Sequence, residues 1–268
     1  MAIITLTTDY GTKDYFTAAI KGAILTELPG TQVVDISHEV EPFDIHQGAF
    51  ILRNSYKHFP KGTIHMMGVD AERTLSNDHI AAKIDGHYFI GADNGFFALL
   101  FPEIKADKII SIGIGQDDDQ FTFPMKDVFV RAACHIARGG QLAVIGREKL
   151  EWKESKMVQA IVKSDKSNIR GMVIYVDNFG NLVTNISATV FKQVQAGRDC
   201  EIILPRSRKI HVISNAYSEV AEEGKALALF NSSKLLEIAI SRGHGKQFGG
   251  ASSLLGMNYR DIVTIYFK

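Results

Sequence analysis

The chain has 268 residues, enough to bury a large core as one domain or as two modest ones. Thirty basic residues balance thirty acidic ones, so there is no positive field for a phosphate backbone or an anionic membrane, and neither nucleic acid nor lipid is an expected partner. No apolar run approaches the length that spans a bilayer, and the first residues lack a basic stretch followed by an apolar one, so a cytoplasmic protein is expected.

In chain order, Ile3 to Thr8 reads as a strand that ends on Asp9, with Tyr10-Gly11 as a turn and a helix beginning at once. Asp9 is thereby presented at the carboxyl end of a strand, where open α/β sheets bind ligands. Its acceptor-only carboxylate suits a donor-rich partner such as a ribose diol or an ammonium group. From this stretch alone a helix cap is the commoner role for such a residue. Thr12 to Leu28 carries apolar residues at helical spacing and stops at Pro29-Gly30. Val33 to Ile36 is a short buried strand, and Asp44 with Gln47 resembles a capping box opening a helix through Tyr56. Thr63 to Val69 is a strand ending at Asp70, a second carboxylate placed like the first. Two such carboxylates suggest one cleft.

His79 to Ile84 and His87 to Ile90 flank Asp85-Gly86, a strong two-residue hairpin signal, and Ala92-Asp93-Asn94-Gly95 turns into a short apolar helix. Lys108 to Ile114 reads as a strand, Asp117-Asp118-Asp119 as a solvated loop, and Asp127 to Arg138 as a helix stopped by Gly139-Gly140. From Val158 onward short strands take over, which implies an antiparallel sandwich or barrel. The boundary is placed in a charged linker near Gly146 to Lys156, giving domains over 1–148 and 158–268. Cys134 and Cys200 have neither metal-type nor redox-type spacing and read as reduced packing thiols.

Asp177-Asn178-Phe179-Gly180-Asn181 joins two of the later strands and packs a carboxylate, a ring and a carboxamide into one turn. A hairpin needs no exposed ring, whereas a purine stacks on one while Asn181 reads its edge. Phe230-Asn231-Ser232-Ser233, with Glu237 beyond it, is a weaker case that turn chemistry explains equally well. The nine histidines form no HExxH or comparable pair, and a satisfied structural role is expected for each. Phosphate-loop, Rossmann and nucleophile-elbow motifs do not occur, so the commonest kinase, dehydrogenase and hydrolase readings fall away.

Taken together, Thr8-Asp9-Tyr10-Gly11, Val34-Asp35-Ile36-Ser37-His38, Phe59-Pro60-Lys61-Gly62-Thr63-Ile64-His65, Asp93-Asn94-Gly95, Asp177-Asn178-Phe179-Gly180-Asn181 and Asn231-Ser232 resemble the S-adenosyl-L-methionine hydroxide adenosyltransferase family, which also resembles fluorinases and chlorinases. The resemblance implies an α/β N-terminal domain with a mainly parallel sheet, an all-β antiparallel barrel-like C-terminal domain, and a homotrimer with sites between neighbouring subunits. It implies hydrolysis of S-adenosyl-L-methionine to adenosine and L-methionine, with no metal and no cofactor. By matching position Asp70 is catalytic, Asp9 holds the ribose diol, and Asp14 with Asp177 receives the ammonium end. Phe179 and Asn181 line the adenine pocket, and Ser232 and Glu237 complete the contacts across a subunit interface.

The family's catalytic set resembles an Asp, an Arg and a His, and here the Arg position is Asn77 and the His position is Pro124. Arg73 and Lys126 are nearby cations that would substitute, and His135 matches a further family position in a setting that suggests packing. The alternative is therefore an adenosyl-binding protein without turnover. Fluorinase-type members resemble one another in a long insertion near Asp85-Gly86, where this chain has a tight turn, so hydrolysis ranks above halogenation.

Overall fold

A computed structural model of the chain describes residues 2–114, 122–205, 208–243 and 249–268, and the Asp117–Asp119 loop lies outside them. The chain divides into two compact units, Met1–Met157 and Val158–Lys268.

The first unit alternates strand and helix: β1 (Ile3–Thr8), α1 (Phe16–Glu27), β2 (Gln32–Ser37), α2 (Ile45–Arg53), β3 (Ile64–Gly68), β4 (His79–Ile84), β5 (His87–Ala92), α3 (Phe96–Leu100), β6 (Lys108–Ile112), α4 (Val130–Ala137) and β7 (Gly146–Glu148). They form one mixed sheet in the order β2-β1-β3-β5-β4-β6-β7, parallel through its first four strands. Side chains alternate between its faces, as the pleat requires. Ile64 and Met66 of β3 face a core shared with α1 and α4, while Met67 faces one shared with α2 and α3. Both faces are thus covered, which is why β1 and β3 read as continuous buried runs.

Local chemistry accounts for the element ends. Asp44 caps α2, accepting from the backbone of His46 and Gln47 at 3.0 Å each. Gln47 does not close the reciprocal half of the box, because its side chain accepts from Glu41 N instead. The helix ends at Arg53, short of Tyr56, which begins a separate 3-10 turn. Asp85 and Gly86 have φ of 50° and 75°, positive at both positions as a type I′ hairpin turn demands. A π-helical turn, Met125–Phe129, precedes α4.

His65 is fully buried in β3, with Nδ1 2.7 Å from Thr5 Oγ1 and Nε2 3.2 Å from His87 Nδ1. Burial, and secondarily His87, lowers its pKa to about 3 from an ordinary 6.5. Between those values the unfolded chain binds the proton and the folded one does not, so stability is present above 6.5 and lost as pH falls. This residue should cost up to about 1.4 kcal/mol per pH unit on the acid side. Urea titrations at neutral and mildly acidic pH check it: His65→Gln should flatten the dependence, and an identical slope in both proteins would contradict the assignment.

In the second unit β8 (Ile161–Val162), β9 (Asn168–Val176), β10 (Leu182–Ser187), β11 (Cys200–Ile203), β14 (Ala226–Phe230), β15 (Leu235–Ile240) and β16 (Ile262–Phe267) form the run of strands that the sequence implies from Val158 onward. β12 (Lys209–Ile210) and β13 (Ile213–Ser214) join them in a nearly closed barrel, ordered β12-β11-β16-β9-β10-β15-β14-β13 with β8 on β9. Its pairings are antiparallel except for β13 with β14. Two short helices, α5 (Ala188–Gln195) and α6 (Ala251–Leu255), accompany the barrel strands. Ser187 Oγ caps α5 by accepting from Val190 N at 3.2 Å, and the β-branched Thr189 and Val190 hide that helix from a pattern search.

Candidate active site

Asp9 follows β1 and Asp70 lies two residues past β3, so two adjacent parallel strands deliver carboxylates to the same end of the sheet. Chain order reverses at β1, because α1 leads to β2 across one face of the sheet and α2 leads to β3 across the other. A crevice outside the carboxyl ends at such a switch point is where open α/β sheets take ligands.

Asp9 is held by the chain around it. Its Oδ2 accepts from the backbone of Phe43 at 3.0 Å and of Asp70 at 3.3 Å. Both donors have left-handed backbone, φ 66° and 46°. A non-glycine residue adopts that geometry at a cost on the order of 1 kcal/mol or more, and it persists where the surroundings impose it. Asp9 Oδ1 accepts no hydrogen bond among the described residues. The helix-cap role is thereby corrected: α1 starts at Phe16, not Thr12, with Tyr15 at its N-cap and no capping side chain. Behind Asp9, Thr8 Oγ1 is 2.8 Å from His38 Nδ1 and His38 Nε2 is 3.1 Å from Asp35 Oδ1, and the His38 carbonyl accepts from Gly11 N at 2.7 Å. His38 has the structural role expected of it.

Asp70 is fixed from the other side by Asn94, whose amide nitrogen donates to the carbonyls of Val69 at 3.2 Å and Asp70 at 2.9 Å. Asn94 Oδ1 in turn accepts from Phe96 N at 3.1 Å, so α3 anchors the Asp70 loop. Partial burial, followed by Asp9 and Glu72, raises the Asp70 pKa, while Lys153 opposes them. Burial first, then Asp9 and Glu72, also keeps the Tyr10 phenol in its neutral form. The Tyr10 ring meets Phe16 and Phe123, each at 5.7 Å between centroids.

Position 124 belongs to this neighbourhood. Phe123 packs on Tyr10 after β1, and Met125 lies so close to Gly68 in β3 that a Cβ there would sit 2.6 Å from its Cγ. Pro124 between them carries no proton-transferring group. Asn77 closes a tight turn with Thr74, and its Oδ1 accepts from Lys153 Nζ at 2.9 Å. Arg73 lies 3.9 Å from Asp78, and Lys126 pairs with Asp127 at 2.7 Å, so both cations that the sequence offers face their own chain neighbours. Lys153 went unnoticed in the sequence because its segment reads as a linker. That segment runs along the first unit, with Trp152 stacked on Phe97 at 5.9 Å and Lys153 N donating to the buried Asp93 at 2.7 Å. His135 Nε2 lies 3.1 Å from the Gln141 carbonyl beyond its helix, a packing role. Asp14 is exposed in the loop before α1.

The second unit gathers its own set. Asp177 Oδ1 accepts from the backbone of Phe179 at 2.9 Å and Asn181 at 2.8 Å, and Oδ2 accepts from Asn181 Nδ2 at 3.0 Å. The carboxylate therefore organises the turn, as the plain hairpin role requires, and leaves the Phe179 ring 58% exposed. Glu237 is buried with both oxygens engaged, one by the Tyr217 hydroxyl at 2.6 Å and one by Asn231 Nδ2 at 3.0 Å. Tyr217 escaped the sequence reading, which had no means of pairing it with a strand residue twenty positions on. Its phenol pKa is raised by burial first, then by Glu237 and Asp177, which places that turn beside it. Ser232 is exposed in the turn that Asn231 closes.

Among the described residues no group of three His, Cys, Asp or Glu side chains is placed to hold a metal ion, and no helix is long and apolar enough to cross a membrane. Both cysteines are buried and free. Burial raises the Cys134 thiol to about 11 and also raises Cys200, so both are poor nucleophiles.

Known proteins resemble this chain along nearly its whole length. The chain is 31% identical to a protein of Methanocaldococcus jannaschii named (R)-S-adenosyl-L-methionine hydrolase, over 99% of this chain and 96% of that one. It is 23% identical to a fluorinase of an Actinoplanes species, over 75% and 77%. A crystal structure of an uncharacterized conserved protein from Thermotoga maritima superposes with a TM-score of 0.84 at 27% identity, covering 99% of this chain and 100% of that one. Residues 4–146 match the SAM hydroxide adenosyltransferase N-terminal domain and residues 171–264 match the C-terminal domain, so the chain belongs to the SAM hydroxide adenosyltransferase family.

Proposed function

We propose that the protein hydrolyses S-adenosyl-L-methionine to adenosine and L-methionine by attack of water on the ribose 5′ carbon. The carbon–oxygen bond forms as the carbon–sulfur bond breaks, the bonding pair leaves on sulfur as a neutral thioether, and the surplus proton of the water passes to a base or to solvent. The observation that carries this reading is the Asp9 carboxylate, with one oxygen fixed by two strained backbone segments and the other left for a ligand, beside Asp70. A substrate bearing a sulfonium and an ammonium is drawn to carboxylates and needs no basic patch. Asp9 accepts from the ribose diol, Asp70 orients or deprotonates the water, and Asp14 and Asp177 attract the ammonium end. Phe179 and Asn181 hold the adenine, Ser232 supplies a hydroxyl, and Glu237 contributes by orienting Tyr217 and Asn231. Relatives named (R)-S-adenosyl-L-methionine hydrolase support hydrolysis, and the tight Asp85-Gly86 turn supports it over halogenation.

Incubation with S-adenosyl-L-methionine, followed by chromatography for adenosine and calorimetry for binding, tests this function. The second reading, an adenosyl-binding protein without turnover, is favoured by Asn77 and Pro124 at the positions where the family resemblance expects Arg and His. Tight binding with no adenosine released would select it.

A homotrimer is part of the same proposal, with Asn181 and Ser232 serving the Asp9 of a neighbouring copy. Its support is three exposed rings, Tyr15 at 70%, Phe43 at 72% and Phe179 at 58%, on or beside the residues assigned to the ligand. A monomer by light scattering, with ligand affinity intact, would remove the shared site. Free cysteines suit a reducing compartment, which supports a cytoplasmic location and is checked by cell fractionation.

A further inference from the structure

Two consecutive residues, Asp93 and Asn94, tie down two separate segments at once. Asn94 Nδ2 holds the Asp70 carbonyl at 2.9 Å, and Asp93 Oδ1 accepts from the backbone nitrogen of Lys153 at 2.7 Å. Lys149 completes the anchor, its ammonium 3.0 Å from the other oxygen of Asp93, which is buried. Asp70 and Lys153 therefore hang from adjacent residues of one turn. The Lys153 side chain is then directed by Asn77, whose Oδ1 accepts from Nζ at 2.9 Å, and Asn77 closes the loop that begins at Asp70. An ammonium bonded to a neutral carboxamide keeps its full charge for a nearby anion.

We infer that Lys153 is the positioning cation of this site: anchored by Asp93 and held by Asn77, it brings a positive charge to the loop that carries the Asp70 carboxylate. The electrostatics agree. The raised Asp70 pKa comes from burial, Asp9 and Glu72, and Lys153 is the cation that counters them. Arg73 and Lys126 are engaged elsewhere, with Asp78 and Asp127. Residue 77, where the resemblance expects a cation, thus holds one indirectly by hydrogen-bonding an ammonium that arrives from residue 153. The inference deepens the proposed hydrolytic function and rests on it only for the catalytic consequence.

The test exploits the way Lys153 is anchored: its tie to Asp93 is through the backbone, so changing the side chain leaves that hydrogen bond in place. Lys153→Met and Lys153→Arg are compared with the unaltered protein in two measurements. Carbon NMR of isotope-labelled aspartate, assigned with Asp70→Asn, follows the titration of the Asp70 carboxyl without any substrate. Lys153→Met should move that titration up, and Lys153→Arg should restore it. In the second measurement the acid limb of kcat/KM should move up in pH with it, which lowers the rate on that limb. An unmoved Asp70 titration in folded Lys153→Met overturns the inference. If the unaltered protein releases no adenosine yet the Asp70 titration follows Lys153, hydrolysis falls and the positioning role stands.

Discussion

Asp70→Asn is expected to reduce turnover of S-adenosyl-L-methionine by about two orders of magnitude or more while leaving adenosine affinity largely intact. The substitution keeps the size and planarity of the side chain, and the contacts that shape the loop are made by the Asp70 backbone, through its N–H to Asp9 and its carbonyl to Asn94. What is lost is an anion able to orient or deprotonate water. Its raised pKa makes the carboxylate a better proton acceptor than an exposed aspartate, and the rate should fall as pH drops through that raised value. If Asp70 serves only to neutralise the sulfonium, the same change weakens substrate binding more than adenosine binding, because adenosine is uncharged. Single-turnover rates measured beside both affinities separate the two roles, and an unchanged rate would remove Asp70 from the chemistry.

Asp9→Ala is expected to weaken adenosine binding by about 1.5–3 kcal/mol, roughly tenfold to 150-fold, by deleting charge-assisted acceptors for the ribose hydroxyls. A second effect follows from the geometry. Phe43 and Asp70 lose the acceptor that satisfies their N–H groups in left-handed backbone, so the Asp70 loop loosens and the rate falls as well. Asp9→Asn retains an acceptor oxygen for those N–H groups and should therefore restore rate more than affinity. Calorimetry with adenosine checks the pair, and full affinity in a folded Asp9→Ala would return this residue to a purely structural role.

The strand ends at Asp9 and Asp70 were legible because a buried run, a carboxylate and a turn are all local signals. The Asp85-Gly86 hairpin was legible for the same reason, since its turn type depends on two residues alone. The acceptor role of Asp9 was not, because its donors lie 34 and 61 positions away and nothing in the first stretch marks them. Lys153 was hidden by composition: a charged segment reads as a solvated linker until Asp93 is seen to hold its backbone. At the Asp177 turn the carboxylate accepts from the backbone of Phe179 and Asn181 while Phe179 stays exposed, a division of roles that only the folded turn displays. Helix α5 was missed since Thr189 and Val190 favour strands, and only tertiary packing of Phe191 and Val194 decides the matter.

The central claim is that water displaces methionine at the 5′ carbon, and the most direct measurement is the fate of the water oxygen. The protein is incubated with S-adenosyl-L-methionine in water enriched in heavy oxygen, and the nucleoside product is analysed by mass spectrometry with fragmentation of the ribose. The account requires adenosine carrying one heavy oxygen at its 5′ position, released together with unlabelled methionine, and both should form about a hundredfold more slowly, or slower still, in Asp70→Asn. Adenosine free of the label, or bound substrate recovered unchanged after many hours, would contradict it.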